Sequence, residues 1–110
     1  MRELELQICL DACLQTIQDC EGVIRVCQDD PSCQDVVRLS RECADVCQLS
    51  VYLMLRKTDF PIRSCRICAE ICLQCAEALS ATADPLCRRS AESCRVCAEL
   101  CMRLLANIAA

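Results

Sequence analysis

Four stretches of the chain repeat apolar positions at spacings of three, four and seven with charge between them, which is the pattern of amphipathic helices. They run at about 3–28, 31–57, 60–81 and 84–108. Each holds roughly 22 to 27 residues, about 33–40 Å if wholly helical. Two Asp-Pro steps, Asp30-Pro31 and Asp84-Pro85, mark helix starts. Asp accepts orphan amide hydrogens at the first turn, and Pro has no amide hydrogen to leave unpaired. A third start is expected at Thr58-Asp59-Phe60-Pro61. Connections this short favour antiparallel neighbours. The expected fold is all-α: an antiparallel up-down-up-down four-helix bundle, with residues 1–110 as a single domain. A single Gly (Gly22) and three Pro among 110 residues argue against a sheet with frequent turns.

The apolar stripes are made of cysteine. In the first stretch Cys9, Cys13, Cys20 and Cys27 fall within roughly 40° of one another on a helical wheel. Cys65, Cys68, Cys72 and Cys75 in the third, and Cys87, Cys94, Cys97 and Cys101 in the fourth, each span about 80°. Cys33, Cys43 and Cys47 keep a similar arc in the second, continued by Met54. Arg66, Glu70, Gln74, Arg95, Glu99 and Arg103 occupy the opposite faces. The thiols are therefore expected to line a core.

An internal repeat reinforces this. Ser64-Cys-Arg-Ile-Cys-Ala-Glu-Ile-Cys72 matches Ser93-Cys-Arg-Val-Cys-Ala-Glu-Leu-Cys101 at seven of nine positions, 29 residues on. A looser form, Cys-x-acid-aliphatic-Cys with Ala counted as aliphatic, occurs once in every stretch, ending at Cys13, Cys47, Cys72 and Cys101. Four single helices carrying one device fit a closed bundle better than a solenoid.

Fifteen Cys in 110 residues is far above ordinary usage. Any one buried Cys is adequately explained as a small hydrophobe. Fifteen are not, because Leu, Val or Ala would fill the same volume without the oxidative liability. The net charge of −4, with signs interspersed, gives no basic stripe for nucleic acid. No stretch reaches the roughly 20 apolar residues of a membrane span, and Glu3, Glu5 and Asp11 interrupt what would be a secretory leader. A cytoplasmic setting is expected, and there dense cysteine points to metal rather than disulfides.

The soft thiolate selects among Cu(I), Zn(II) and iron–sulfur clusters. The nearest cluster-like run, Cys65 to Cys75, is spaced as a helix and lacks the wrapping loop of a ferredoxin. A zinc-like arrangement, Cys72-x2-Cys75 and Cys94-x2-Cys97 with eighteen residues between, sits in mid-helix and uses four thiols. Zn(II) on four thiolates leaves net negative charge, which is costly to bury and which no Lys, Arg or His on the stripes could offset. One Cu(I) per thiolate is neutral. Loading on the order of one copper per thiol is expected, with all fifteen cysteines as candidate ligands and each ion displacing thiol protons. A multi-zinc or other soft-metal thiolate protein, and a copper-detoxifying scavenger, remain as alternatives. Thiol–disulfide catalysis by Cys65-x2-Cys68 or Cys94-x2-Cys97 is disfavoured, because such pairs work at a helix N-terminus beside a sheet. No other catalytic constellation is evident, and no enzymatic activity is expected.

An inward cysteine stripe on each of four antiparallel helices, with repeated Cys-x3-Cys pairs, resembles the bacterial copper storage proteins over essentially the whole chain. The resemblance implies a homotetrameric, cytosolic store whose thiols bind Cu(I) in bridged sites along the bundle axis. This chain departs from that family's frequent His or Met at one end of the bundle, since it has no His. Met54, with Met1 and Met102, would be the thioether candidates there. Val51 to Leu55, apolar around the whole helix, is expected to contribute to a subunit interface.

Overall fold

The computed structural model describes residues 2–56 and 61–109. Four α-helices account for nearly all of them: α1 (Arg2–Cys27), α2 (Gln34–Leu55), α3 (Pro61–Ser80) and α4 (Pro85–Ala109). Among the described residues no strand occurs. Consecutive helices pack on each other and α1 closes on α4, so the four form a ring around one axis. The body measures 43 × 20 × 18 Å, one long helix in length. The all-α antiparallel bundle read from the hydrophobic pattern is the fold observed.

Both Asp-Pro signals work as caps, in different ways. Asp84 Oδ1 accepts from the Leu86 amide at 2.8 Å, and Pro85 opens α4 directly. Asp30 Oδ1 accepts from the Ser32 amide at 2.9 Å, but what it starts is a 3-10 turn, Pro31–Cys33. The second α-helix therefore begins at Gln34 rather than at residue 31. The signal at Thr58 to Phe60 lies outside the described residues, as does Met1.

The Cys-Ala-acid repeat acquires a packing explanation. Cys43, Cys68 and Cys97 are fully buried, the following Ala44, Ala69 and Ala98 are 2% exposed, and the next residues, Asp45, Glu70 and Glu99, face solvent. Cysteine thus points to the axis, alanine to the seam with a neighbouring helix, and the acid outward. Small seam residues let backbones approach closely, which brings sulfurs of adjacent helices together. Among the described residues, the buried polar side chains are Thr16, Ser40, Ser50, Ser64 and Ser90; none is charged. The charged faces carry exposed pairs such as Arg103–Glu99 at 2.6 Å and Arg38–Glu42 at 3.4 Å. Pairs of that kind add little stability.

The 51–55 stretch divides. Val51 and Met54 enter the core, whereas Tyr52 and Leu55 stand outside, 45% and 61% exposed. The Arg56 guanidinium lies 5.5 Å from the centroid of the Tyr52 ring.

Enlarging a seam residue should separate the helices it lets approach. Ala98→Leu is expected to cost about 1–3 kcal/mol in urea unfolding of the copper-free protein. Glu99→Gln on the solvent face should change stability by less than about 0.5 kcal/mol.

Candidate metal centre

Every cysteine is a free thiol, and fourteen of the fifteen are buried. Twelve of them converge on the axis in four groups, three of which share members, and within each group the sulfur atoms lie within 4.8 Å of one another. Cys9, Cys65 and Cys101 form the group nearest the start of α1. Cys101 also belongs to the next group, with Cys13, Cys68 and Cys97. Cys68 and Cys97 are shared in turn with Cys47 and Cys72. The fourth group is Cys20, Cys43, Cys75 and Cys94, joined to the third through Cys43 and Cys72, whose sulfurs are 3.5 Å apart. The result is a continuous ladder of sulfur along the interior.

Most of the close sulfur pairs cross between helices: Cys9–Cys101 and Cys13–Cys97 at 3.6 Å, Cys47–Cys68 at 3.5 Å, and Cys68–Cys97 at 3.9 Å. Within a helix, Cys68 and Cys72 approach to 3.9 Å. Thiols at i and i+4 on one helix have Cβ atoms about 5–6 Å apart, a spacing that suits one ion between them. The cross-helix contacts are instead the dominant feature. These separations exceed the S–S bond of about 2.05 Å, so the contacts are between thiols, each able to donate or accept a hydrogen bond.

Those hydrogen bonds divide the thiols into proton givers and receivers. Cys68 is drawn well below the usual thiol range by hydrogen bonds with Cys101, Cys13, Cys47 and Cys72. Cys72 is pushed well above it by its bonds to Cys43, Cys47, Cys68 and Cys94, with burial adding to the effect. Cys101 is raised similarly, by Cys13, Cys65, Cys68 and Cys9 and then by burial. Cys9, Cys75 and Cys97 are drawn down in the same way, chiefly by hydrogen bonds with other thiols of the ladder, so lowered and raised thiols alternate as neighbours.

Three further residues border the ladder that the sequence reading did not single out. Ser40 Oγ is 3.8 Å from Cys75 Sγ, and Ser90 Oγ is 3.8 Å from Cys20 Sγ. Thr16 Oγ1 donates to the carbonyl oxygen of Ala12 at 2.9 Å. All three are fully buried. Their signal was available, because Thr16, Ser40 and Ser90 stand three or four residues from a stripe cysteine on their own helices.

One expectation is corrected. Cys33 does not share the α2 stripe. It is half-buried, because the tighter 3-10 turn at Pro31–Cys33 rotates it away from the register that α2 adopts from Gln34 onward. Met102 is 53% exposed, since its place next to Cys101 sets it about 100° from the stripe. Met54, by contrast, is 3% exposed and continues the stripe. Cys27 and Cys87 are buried but stand apart from the twelve.

A four-helix bundle with a ladder of thiols for a core defines a metal-binding container for soft, thiophilic ions. The copper storage protein family model matches residues 2–106, and the chain belongs to that family. Among solved structures, the apo form of copper storage protein 3 from Bacillus subtilis is 30% identical, with a TM-score of 0.85 over 90% of this chain and 97% of that one. A cytosolic copper storage protein from Streptomyces lividans, in a structure with five coppers, is 29% identical, with a TM-score of 0.87 over 96% of this chain and 94% of that one. An uncharacterised cysteine-rich protein of Bacillus subtilis, YhjQ, is 32% identical over 72 residues, or 63% of this chain and 67% of that protein.

Because Cys72 and Cys101 hold their protons above the ordinary thiol range, a bound ion must displace them. Titration with Cu(I) in weak buffer should release about one proton per ion. Copper affinity should fall as pH is lowered, since protons compete for the same sulfurs. Uptake without proton release would show that the thiols were already ionised.

Proposed function

We propose that this chain is a high-capacity cytoplasmic store and buffer for Cu(I), which its thiols bind as thiolates inside one bundle formed by the whole chain. The supporting observation is the uninterrupted ladder of twelve sulfurs in an interior where, among the described residues, no charged side chain is buried. Each thiol that loses a proton to bind a monovalent ion leaves its neighbourhood neutral, so ions can be added one after another without accumulating buried charge. Divalent ions on four thiolates each would not have that property. Copper is cargo here: it is held and released without a chemical step on a substrate, and no enzymatic role is assigned. Fourteen buried thiols also favour capacity over the single accessible site expected of a transfer chaperone.

The store is proposed to act as a homotetramer. Leu14, Ile67, Leu73, Val96 and Met102 are large apolar side chains on the outer faces, each more than 40% exposed, and Tyr52 and Leu55 add to them. Leu73 and Met102 share one surface groove with Leu105 and Ala106, and contiguous apolar surface marks interaction faces. Sedimentation equilibrium should return four times the 12.3 kDa chain mass, and a clean monomer would overturn the assembly.

Anaerobic Cu(I) titration against a competing chelator tests the storage reading. Saturation is expected on the order of a dozen ions per chain or more, with Zn(II) displaced by copper. Saturation at one or two ions would refute it.

A further inference from the structure

A polar cleft lies on the outside of the bundle, where α3 ends and α4 begins. Its volume is about 370 Å³, and it is lined by Ser80, Arg88 and Arg95. Ser80 is the last residue of α3, and both arginines stand on α4. They are seven residues apart, about 10 Å along the helix axis. That is two turns, so both side chains leave the same face of α4. The cleft is in the size range of small-ligand sites, about 300–1,000 Å³, and exceeds what one bound water or ion needs.

The end of α3 holds both guanidinium groups in place. Arg88 Nε donates to the carbonyl oxygen of Thr82 at 3.5 Å. Arg95 donates to Ser80 Oγ through one terminal nitrogen, and the other lies 3.5 Å from Glu92 Oε2. Thr82 is fixed in turn: its amide and its hydroxyl both donate to the Leu79 carbonyl oxygen, at 3.2 and 3.0 Å. The positive charge is only partly answered. Arg95 has the exposed Glu92, and such a pairing is worth little in water. Among the described residues no carboxylate pairs with Arg88, and its terminal nitrogens make no hydrogen bond. The cleft therefore presents a permanently charged fork whose paired donors are uncommitted.

We propose that Ser80, Arg88 and Arg95 form a binding site for a small diphosphate anion, with one phosphoryl group on each guanidinium. Parallel N–H groups of a guanidinium match two oxygens of a phosphoryl group. Two such forks on one helix face suit a ligand with two anionic groups. A phosphoryl group also keeps a third oxygen for the Ser80 hydroxyl, which a carboxylate lacks. Ser80 Oγ accepts from Arg95, so its own hydrogen is free to donate to that oxygen. Arg88 lies in the first turn of α4, where the helix dipole further favours negative charge. The site faces away from the sulfur ladder and holds whether or not the ladder carries copper.

Isothermal titration of the copper-free chain with inorganic pyrophosphate, in phosphate-free buffer of low ionic strength, tests the site. One saturable site per chain is expected, weakening as salt is added. Arg88→Gln and Arg95→Gln should each weaken it by about tenfold or more, the loss of a charge-assisted hydrogen bond. Arg103→Gln, on the same helix but outside the cleft, should change it by less than about twofold. Nitrogen-15 spectra of the unaltered protein give a readout that no variant can confound. Added pyrophosphate should shift the Nε–H signals of Arg88 and Arg95 and leave that of Arg103 in place. Absence of saturable binding, or binding that persists in Arg88→Gln/Arg95→Gln, would overturn the proposal. So would succinate binding as tightly as pyrophosphate, because two carboxylates would then satisfy the cleft equally well.

Discussion

A thiolate in a dry interior is costly, by several kcal/mol for an uncompensated buried charge. This bundle gathers twelve such groups around one axis and, among the described residues, buries no cation to offset them. Two states of that core are electrically acceptable. In one, the sulfurs keep their protons and bond to each other as neutral thiols. In the other, a monovalent ion takes the place of each proton. The same geometry serves both, since thiols 3.5–3.9 Å apart across helices can share hydrogen bonds when empty and bridge ions when filled. The container can therefore fold without its cargo and fill without inverting its packing.

The repeated Cys-Ala-acid device meets three requirements with three consecutive residues. Cysteine turns inward, alanine keeps the helix seams thin enough for sulfurs on different helices to meet, and the acid keeps the outer face wet. Buried serine and threonine complete the lining where a cysteine is missing. Ser40 and Ser90 lie beside Cys75 and Cys20 at the level where the ladder stops, and offer hydroxyl hydrogen bonds without adding a metal ligand. Beyond them an apolar layer takes over. The two ends of the bundle therefore differ: Met54 lies at one, and three thiols, one of them within reach of solvent, lie at the other.

Helix number, antiparallel order and the inward thiol stripes were legible in the sequence, because each follows from short-range periodicity and from Asp-Pro caps that act within one turn. What was not legible depended on local helix type or on rotation between helices. Cys33 fits the α2 wheel only if residues 31–57 form one continuous α-helix; the 3-10 turn at Pro31–Cys33 breaks that register, and a wheel drawn at 100° per residue cannot detect it. Likewise, the spacing of Cys68 and Cys72 shows that they share a face, but not that Cys47 on another helix comes closer to Cys68 than Cys72 does. The division of fifteen thiols into twelve and three arises in the same way. Past Cys20 and Cys75 the buried positions are taken by Val23 and Leu79 rather than by sulfur, and how those residues meet across helices is a property of how the helices are staggered.

The central claim is that sulfur alone receives the copper, and that the copper remains monovalent. Copper K-edge X-ray absorption on the fully loaded protein examines both at once. The account predicts a Cu(I) edge, nearest neighbours that are all sulfur, and copper–copper scattering from ions bridged along the ladder. Nitrogen or oxygen as nearest neighbours, or an edge characteristic of Cu(II), would contradict it.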